Sequence, residues 1–160
     1  MERVNKIITD RQWQEYLDRI TECETDRVFC RHNMVHFLDV ARLAWIFNLE
    51  EALDLEKDVV YAAALLHDIG RFVQYQDGTP HPQASAALAP EILLRCGFGE
   101  KETAEIIEAI RQHGNADIRE EKSLRGVLYR ADKASRACYS CSVCSECDWS
   151  SRKKNLKLQY

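Results

Sequence analysis

Residues 59–71 read VVYAAALLHDIGR, and the way this stretch folds decides the architecture. Its first eight positions are apolar nearly all round, the pattern of a central helix buried on every side. The run then meets an adjacent imidazole and carboxylate, His67 and Asp68, with Gly70 and Arg71 behind them. Val60, Ala63 and Ala64 precede His67 by seven, four and three residues, so the imidazole continues their buried face. The spacing predicts one helix over 57–75.

Five more helices are read outward from it. One covers about 10–22, with Thr9 and Gln12 spaced as a capping box. The next covers about 28–48, where Val40, Leu43, Ala44 and Phe47 continue the face of His36. A third runs about 82–96, with Pro82 in its first turn, Gly97 past its end, and Pro90 as a point of kinking or division. A fourth covers about 100–113 and stops at Gly114. The last starts after Ser123 and reaches about 139. With only 3 Pro and 6 Gly and no alternating apolar-polar run, the expectation is an all-α helical bundle in a single domain, residues 1–137. A cysteine-rich and basic extension, 138–160, packs on that domain or trails from it.

The charge balance narrows the function. With 22 basic and 26 acidic residues the net charge is −4, which argues against a dedicated nucleic-acid surface or membrane binding. No stretch approaches the roughly 20 apolar residues that cross a bilayer. The start, MERVNKIITD, lacks the apolar core of a signal peptide, so a cytoplasmic location is expected. The odd count of 7 cysteines fits a reducing compartment.

Chemistry enters with the polar groups on apolar helix faces. His113 follows Ile106, Ala109 and Ile110 just as His67 follows its own apolar neighbours, and Asp132 follows Leu128 and Tyr129. Burying imidazoles and carboxylates together without partners is costly. A divalent cation removes that cost for several groups at once, so inward polar groups on different helices suggest one metal centre inside a bundle. His32 and His36, four residues apart, compete for one position on a shared helix face. His36 is favoured, which leaves His32 supporting it, facing substrate, or on the surface.

The segments RHNMVHFLDVARLA (31–44), LLHDIGR (65–71) and LYRADKAS (128–135) resemble, in that order, the three metal-binding segments of the HD superfamily of phosphohydrolases. The resemblance covers about residues 28–137 and implies an HD-type bundle with His36, His67, Asp68 and Asp132 on a metal. His81, at the start of HPQASAALAPEIL, and His113, in EAIRQHG, resemble a branch with extra histidines, the bacterial hydrolases of symmetrical dinucleoside tetraphosphates. That branch implies a second metal on His81 and His113, bridged by Asp68. The donors are all imidazole or carboxylate, which suits one or two ions of Fe, Mn, Co, Ni or Zn. The expected substrate is a small phosphorylated molecule, a nucleotide above all, attacked by a metal-activated water. Arg71 and Lys133 are the cations expected at the phosphate, and the resemblance allows Asp68 a part in proton transfer. Arg111 and Arg136 read as ordinary surface charges.

Cys138, Cys141, Cys144 and Cys147 follow at spacings of three. They fit a further metal or a redox cluster, or simply a stripe of reduced cysteines along a helix. Metal binding there requires the helix to break near Ser140. Cys23, Cys30 and Cys96 read as isolated thiols. Two other functions share this donor set: a di-iron oxygenase of the same superfamily, and a non-catalytic metal- or redox-sensing module.

Overall fold

In the computed structural model, which describes all 160 residues, the chain forms eight α-helices, two short 3₁₀ turns and no strand. The helices are α1 (Glu2–Thr9), α2 (Arg11–Cys23), α3 (Met34–Glu50), α4 (Lys57–Leu66), α5 (Arg71–Asp77), α6 (His81–Arg95), α7 (Glu100–Gln112) and α8 (Leu124–Ala134). Helix α4 is the hub. Val59, Val60, Ala62, Ala63, Ala64, Leu65 and Leu66 are all buried, so it needs neighbours on every side. It receives them from α3, α7, α1, α8 and α6, while α8 also packs along α3 and α7 along α6. Ile69, Phe37, Ile92, Leu93, Ile106, Ile110 and Val127 fill the core between them.

The helix expected over 57–75 is in fact two. Helix α4 stops at Leu66, residues 67–70 form a turn, and α5 begins at Arg71. The break tightens the backbone, with Ile69 N–H reaching Leu66 O at 3.5 Å and Arg71 N–H reaching Asp68 O at 2.9 Å. Tertiary contact fixes it. Gly70 lies so close to α6 that its N–H donates to Ser85 Oγ at 2.9 Å. A Cβ on Gly70 would meet the backbone carbon of Ala84 at 2.7 Å and Ser85 N closer still. Because those neighbours are backbone, Gly70→Ala should force α5 and α6 apart and cost about 1–3 kcal/mol. Urea denaturation should show a lower midpoint at unchanged slope.

Other boundaries also differ from the sequence reading. Helix α1, with Val4 and Ile7 buried, was not expected. Asp10, not Thr9, caps α2: its carboxylate accepts from Gln12 N and Trp13 N at 3.0 Å each. Thr9 Oγ1 instead donates back to Asn5 O at 3.1 Å. Helix α3 starts at Met34, not near 28, because the Asn33 side chain accepts from Val35 N and His36 N and so sets the helix start. Pro90 lies within α6 without dividing it.

Helix α8 ends at Ala134, well short of 139. The reason lies twenty residues downstream. Asn155 Nδ2 donates to the carbonyls of Lys133, Ala134 and Arg136 at 2.8, 3.2 and 2.9 Å, taking up groups that a longer helix would have used. The tail therefore laps back on the bundle, and its end places Tyr160 against Phe47 with ring centroids 4.9 Å apart. No helix is long and apolar enough to cross a membrane.

Candidate metal centre

The turn after α4 puts Asp68, 1 % exposed, at the middle of a ring of imidazoles from four other places in the chain. Around Oδ2 lie His67 Nε2 at 3.3 Å, His36 Nε2 at 3.6 Å and His32 Nε2 at 3.6 Å. Around Oδ1 lie His81 Nε2 at 3.2 Å and His113 Nε2 at 3.5 Å. Asp132, in the last turn of α8, adds Oδ1 at 3.7 Å from His36 Nε2 and 3.9 Å from His67 Nε2. Donor atoms of His36, His67 and Asp132, and of His67, Asp68 and His113, lie close enough to hold one ion per group.

The tautomers follow from the other edge of each ring. His67 Nδ1 donates to Ala64 O at 2.7 Å, and His113 Nδ1 to Ile110 O at 2.6 Å; each closes a helix end on itself. His81 Nδ1 donates to Gln74 Oε1 at 2.7 Å. Ser135 Oγ gives its proton to Asp132 O at 2.8 Å, so at 3.3 Å it is the acceptor for His36 Nδ1. His32 Nδ1 donates to the carboxylate of Glu24. Every Nδ1 is thus a donor, which in a neutral ring leaves the Nε2 lone pair facing inward. Outer partners of this kind set the tautomer of metal-ligating histidines.

What the inward lone pairs meet are other acceptors. Nε2 of His81 and Nε2 of His113 face each other at 3.1 Å. Nε2 of His36 and Nε2 of His67 are buried with no hydrogen-bond partner at all. Orphaned buried acceptors are costly and rare. A divalent cation would satisfy imidazole lone pairs and carboxylates together, so the donor set fits a metal. Electrostatics agree. Burial pushes the His81 imidazole down to about 3, which keeps it neutral at pH 7. Burial would raise the Asp68 carboxyl, but the positive charge around it, with the Arg71 guanidinium fixed beside it, outweighs burial and holds it well below its ordinary value. Lys133 does the same for Asp132.

Cations rim the carboxylates. Arg71 Nε stands 3.2 Å from Asp68 Oδ1, and Lys133 Nζ pairs with Asp132 Oδ2. Arg136, expected as a surface charge, is instead folded in: its side chain is 13 % exposed, 3.9 Å from Asp132 Oδ2, and stacked over Trp149 at 3.8 Å. Arg111 lies on the surface, paired with Glu108 at 3.0 Å.

His32 corrects the sequence reading more sharply. It does not share a helix face with His36, because α3 begins after it. Nor is it a surface residue, being 8 % exposed. Sequence reasoning also missed Glu24, Gln74 and Ser135 as orienting groups. Glu24 sits in the polar run TECETDR, where nothing marks it for burial. The four late cysteines are not a helical stripe: Cys138 lies in a 3₁₀ turn, Cys141 in extended backbone just after it, Cys144 in a turn and Cys147 in irregular chain, all as free thiols. None of the four joins either group of converging donors.

Residues 34–137 match the model of the HD domain, a family whose members bind divalent metals. A Clostridium beijerinckii protein described as uncharacterized is 45% identical over the whole of both chains. "Putative phosphohydrolase YueE" of Bacillus subtilis is 28% identical over 73% of each chain. Ribonuclease Y 1 of Pediococcus pentosaceus is 39% identical over 49% of this chain, but the match spans 13% of that longer protein. The crystal structure of a "predicted HD superfamily hydrolase" from an uncultured Thermotogales bacterium superposes with a TM-score of 0.62 at 28% identity, covering 88% of this chain and 80% of the other. With about two thirds of its length matched, and with the paired His67 and Asp68 set among further histidines and Asp132 in its core, this chain belongs to the HD-domain family.

Proposed function

We propose that the chain is a metal-dependent phosphohydrolase acting on a phosphoester or phosphoanhydride of a nucleotide or similar small metabolite. The observation that carries this reading is the inward convergence of imidazole lone pairs and two carboxylates beside a rim of cations. His36, His67, Asp68 and Asp132 would hold one ion; His81 and His113 would hold a second, with Asp68 between them. When bound, such a cation lowers the pKa of a water in its shell and draws charge from a phosphoryl oxygen.

The rest falls to the protein's own groups. Arg71 and Lys133 each lean on a donor carboxylate, so each can turn a free N–H toward a phosphoryl oxygen without leaving its anchor. Arg136 supplies a third positive charge, held in place by the Trp149 ring. Asp68, with both oxygens facing imidazoles, acts first as a ligand; a share in proton transfer is secondary. The net charge of −4 makes this local rim the feature that draws an anionic substrate. The resemblance of the segments around His81 and His113 to hydrolases of symmetrical dinucleoside tetraphosphates favours that phosphoanhydride bond within the broader substrate class.

The test is metal analysis of the purified protein joined to a hydrolysis screen over nucleotides and dinucleoside polyphosphates with Mn, Co and Ni added. Phosphate release that needs metal, and stops with a chelator, is expected. A protein that binds no divalent cation would remove the basis of the proposal. Turnover that consumes oxygen and requires iron would replace it with the oxygenase reading.

A further inference from the structure

Six donors account for the two ions proposed above, yet a seventh group faces the same carboxylate. His32 Nε2 stands 3.6 Å from Asp68 Oδ2, the same separation as His36 Nε2. Its chain context is unlike that of the others. It lies in the loop between α2 and α3 and precedes the family-matched segment 34–137, as does the acid that holds it.

That acid is Glu24, the residue that ends α2, and it is 3 % exposed. One carboxylate oxygen takes His32 Nδ1, and the other accepts the His32 backbone N–H at 2.7 Å. Ring and backbone are therefore gripped by the same side chain, which fixes both the position of the imidazole and its tautomer. Glu24 is itself secured. Tyr75 Oη, from α5, donates to it at 2.7 Å, and Arg27 Nε lies 3.8 Å away. A buried carboxylate surrounded in this way stays ionised: the His32 and Tyr75 contacts overcome burial and hold it at about 2.

The consequence is chemical. With Nδ1–H committed to Glu24, the Nε2 of neutral His32 carries a lone pair. It faces a carboxylate oxygen that also carries only lone pairs. Two fixed acceptors facing each other are stabilised when a cation stands between them. A carboxylate that orients an imidazole whose far nitrogen is free is the recurring second layer of metal-ligating histidines. A surface or purely packing histidine would require neither the buried acid nor its two-point grip.

Resting on the phosphohydrolase reading above, we propose that His32, positioned by Glu24 and Tyr75, is a further imidazole ligand on the Oδ2 side of Asp68. The centre then draws on five histidines rather than the four that the family resemblance implies. The added neutral donor would raise affinity for imidazole-preferring ions such as Co, Ni, Zn or Fe over Mg.

The experiment uses the full-length protein loaded with Co(II). Binding is followed by titration calorimetry, and proton NMR in H₂O and D₂O counts exchangeable, strongly shifted imidazole N–H signals. One such signal belongs to each ligated histidine, because every Nδ1 is protonated. His32→Gln should lose one signal and weaken Co(II) binding by roughly 10- to 100-fold, and Glu24→Gln should keep the signal but move it and weaken binding by about 10-fold. Glu24→Gln preserves an acceptor for Nδ1, so it reports even where His32→Gln does not fold. Tyr75→Phe, which leaves the Glu24–His32 contact in place, should move the same signal by less. Unchanged affinity and an unchanged signal count in His32→Gln would overturn the assignment while leaving the four-histidine centre standing. Failure of the wild-type protein to bind Co(II) would overturn both readings at once.

Discussion

Asp68→Asn is expected to lower divalent-cation affinity by more than about 100-fold and hydrolysis by about 10³-fold or more, with the fold intact. The substitution keeps the volume of the side chain and removes its charge. Both Asp68 oxygens face imidazole nitrogens, at 3.2 to 3.6 Å, so this carboxylate is the one group shared by every donor in the ring. Without it the two halves of the centre lose their common anion. The metal-free protein should nevertheless tolerate the change, because an asparagine amide can donate to His81 or His113 Nε2, where the carboxylate could only face another acceptor. The readout is the thermal midpoint with and without metal. A cation at a hundredfold excess over its Kd stabilises the native state by about 2.7 kcal/mol. For a chain of this size that is an upward shift of roughly 5–10 °C. Wild type should show the shift and Asp68→Asn should not. A variant that kept both the metal-induced shift and its turnover would remove Asp68 from the centre of the account.

Several of the donors that converge in the structure were visible in the sequence because they ride on periodic apolar faces, whereas Asp68 and His81 entered only through the family resemblance. His67 continues the buried face of α4, His113 that of α7 and Asp132 that of α8, and helical spacing alone turns those faces inward. The errors have a common origin. Each lies where a tertiary contact, not the local pattern, ends an element. Nothing in LLHDIGR stops a helix before Gly70; the turn exists because Gly70 packs on Ser85 and α5 must cross to α6. Helix α8 looked longer because the Asn155 that takes up its terminal carbonyls is remote in sequence. His32 was assigned to a helix that begins two residues later, so its inward direction could not come from periodicity. It comes from Glu24, eight residues upstream, whose burial no composition rule anticipates. Helix α1 escaped because its eight residues hold only Val4 and Ile7 as fully buried positions, too few for a repeat.

Trp13→Ala should cost about 4 kcal/mol, within the range for deleting a buried aromatic, and lower the melting midpoint by roughly 8–16 °C. Trp13 is 2 % exposed and packs on Phe37 with ring centroids 6.3 Å apart. Phe37 in turn meets the His67 ring edge-on at 5.7 Å. The indole does more than fill space. Its Nε1–H donates to Leu65 O at 2.9 Å, in the last turn of α4, where carbonyls lose their helical partners. Ala64 O beside it accepts from His67 Nδ1, and Leu66 O accepts from Ile69 N, so each carbonyl before the break has its own donor. Trp13→Phe separates the two contributions. It keeps most of the apolar volume but leaves Leu65 O buried without a donor, which should cost about 1–3 kcal/mol by itself. Because Ala64 O and not Trp13 orients His67, folded Trp13→Phe should bind metal with wild-type affinity while unfolding at lower urea. If its metal affinity dropped in step with its stability, the end of α4 and the metal centre would be one cooperative unit, and His67 would not be anchored independently of Trp13.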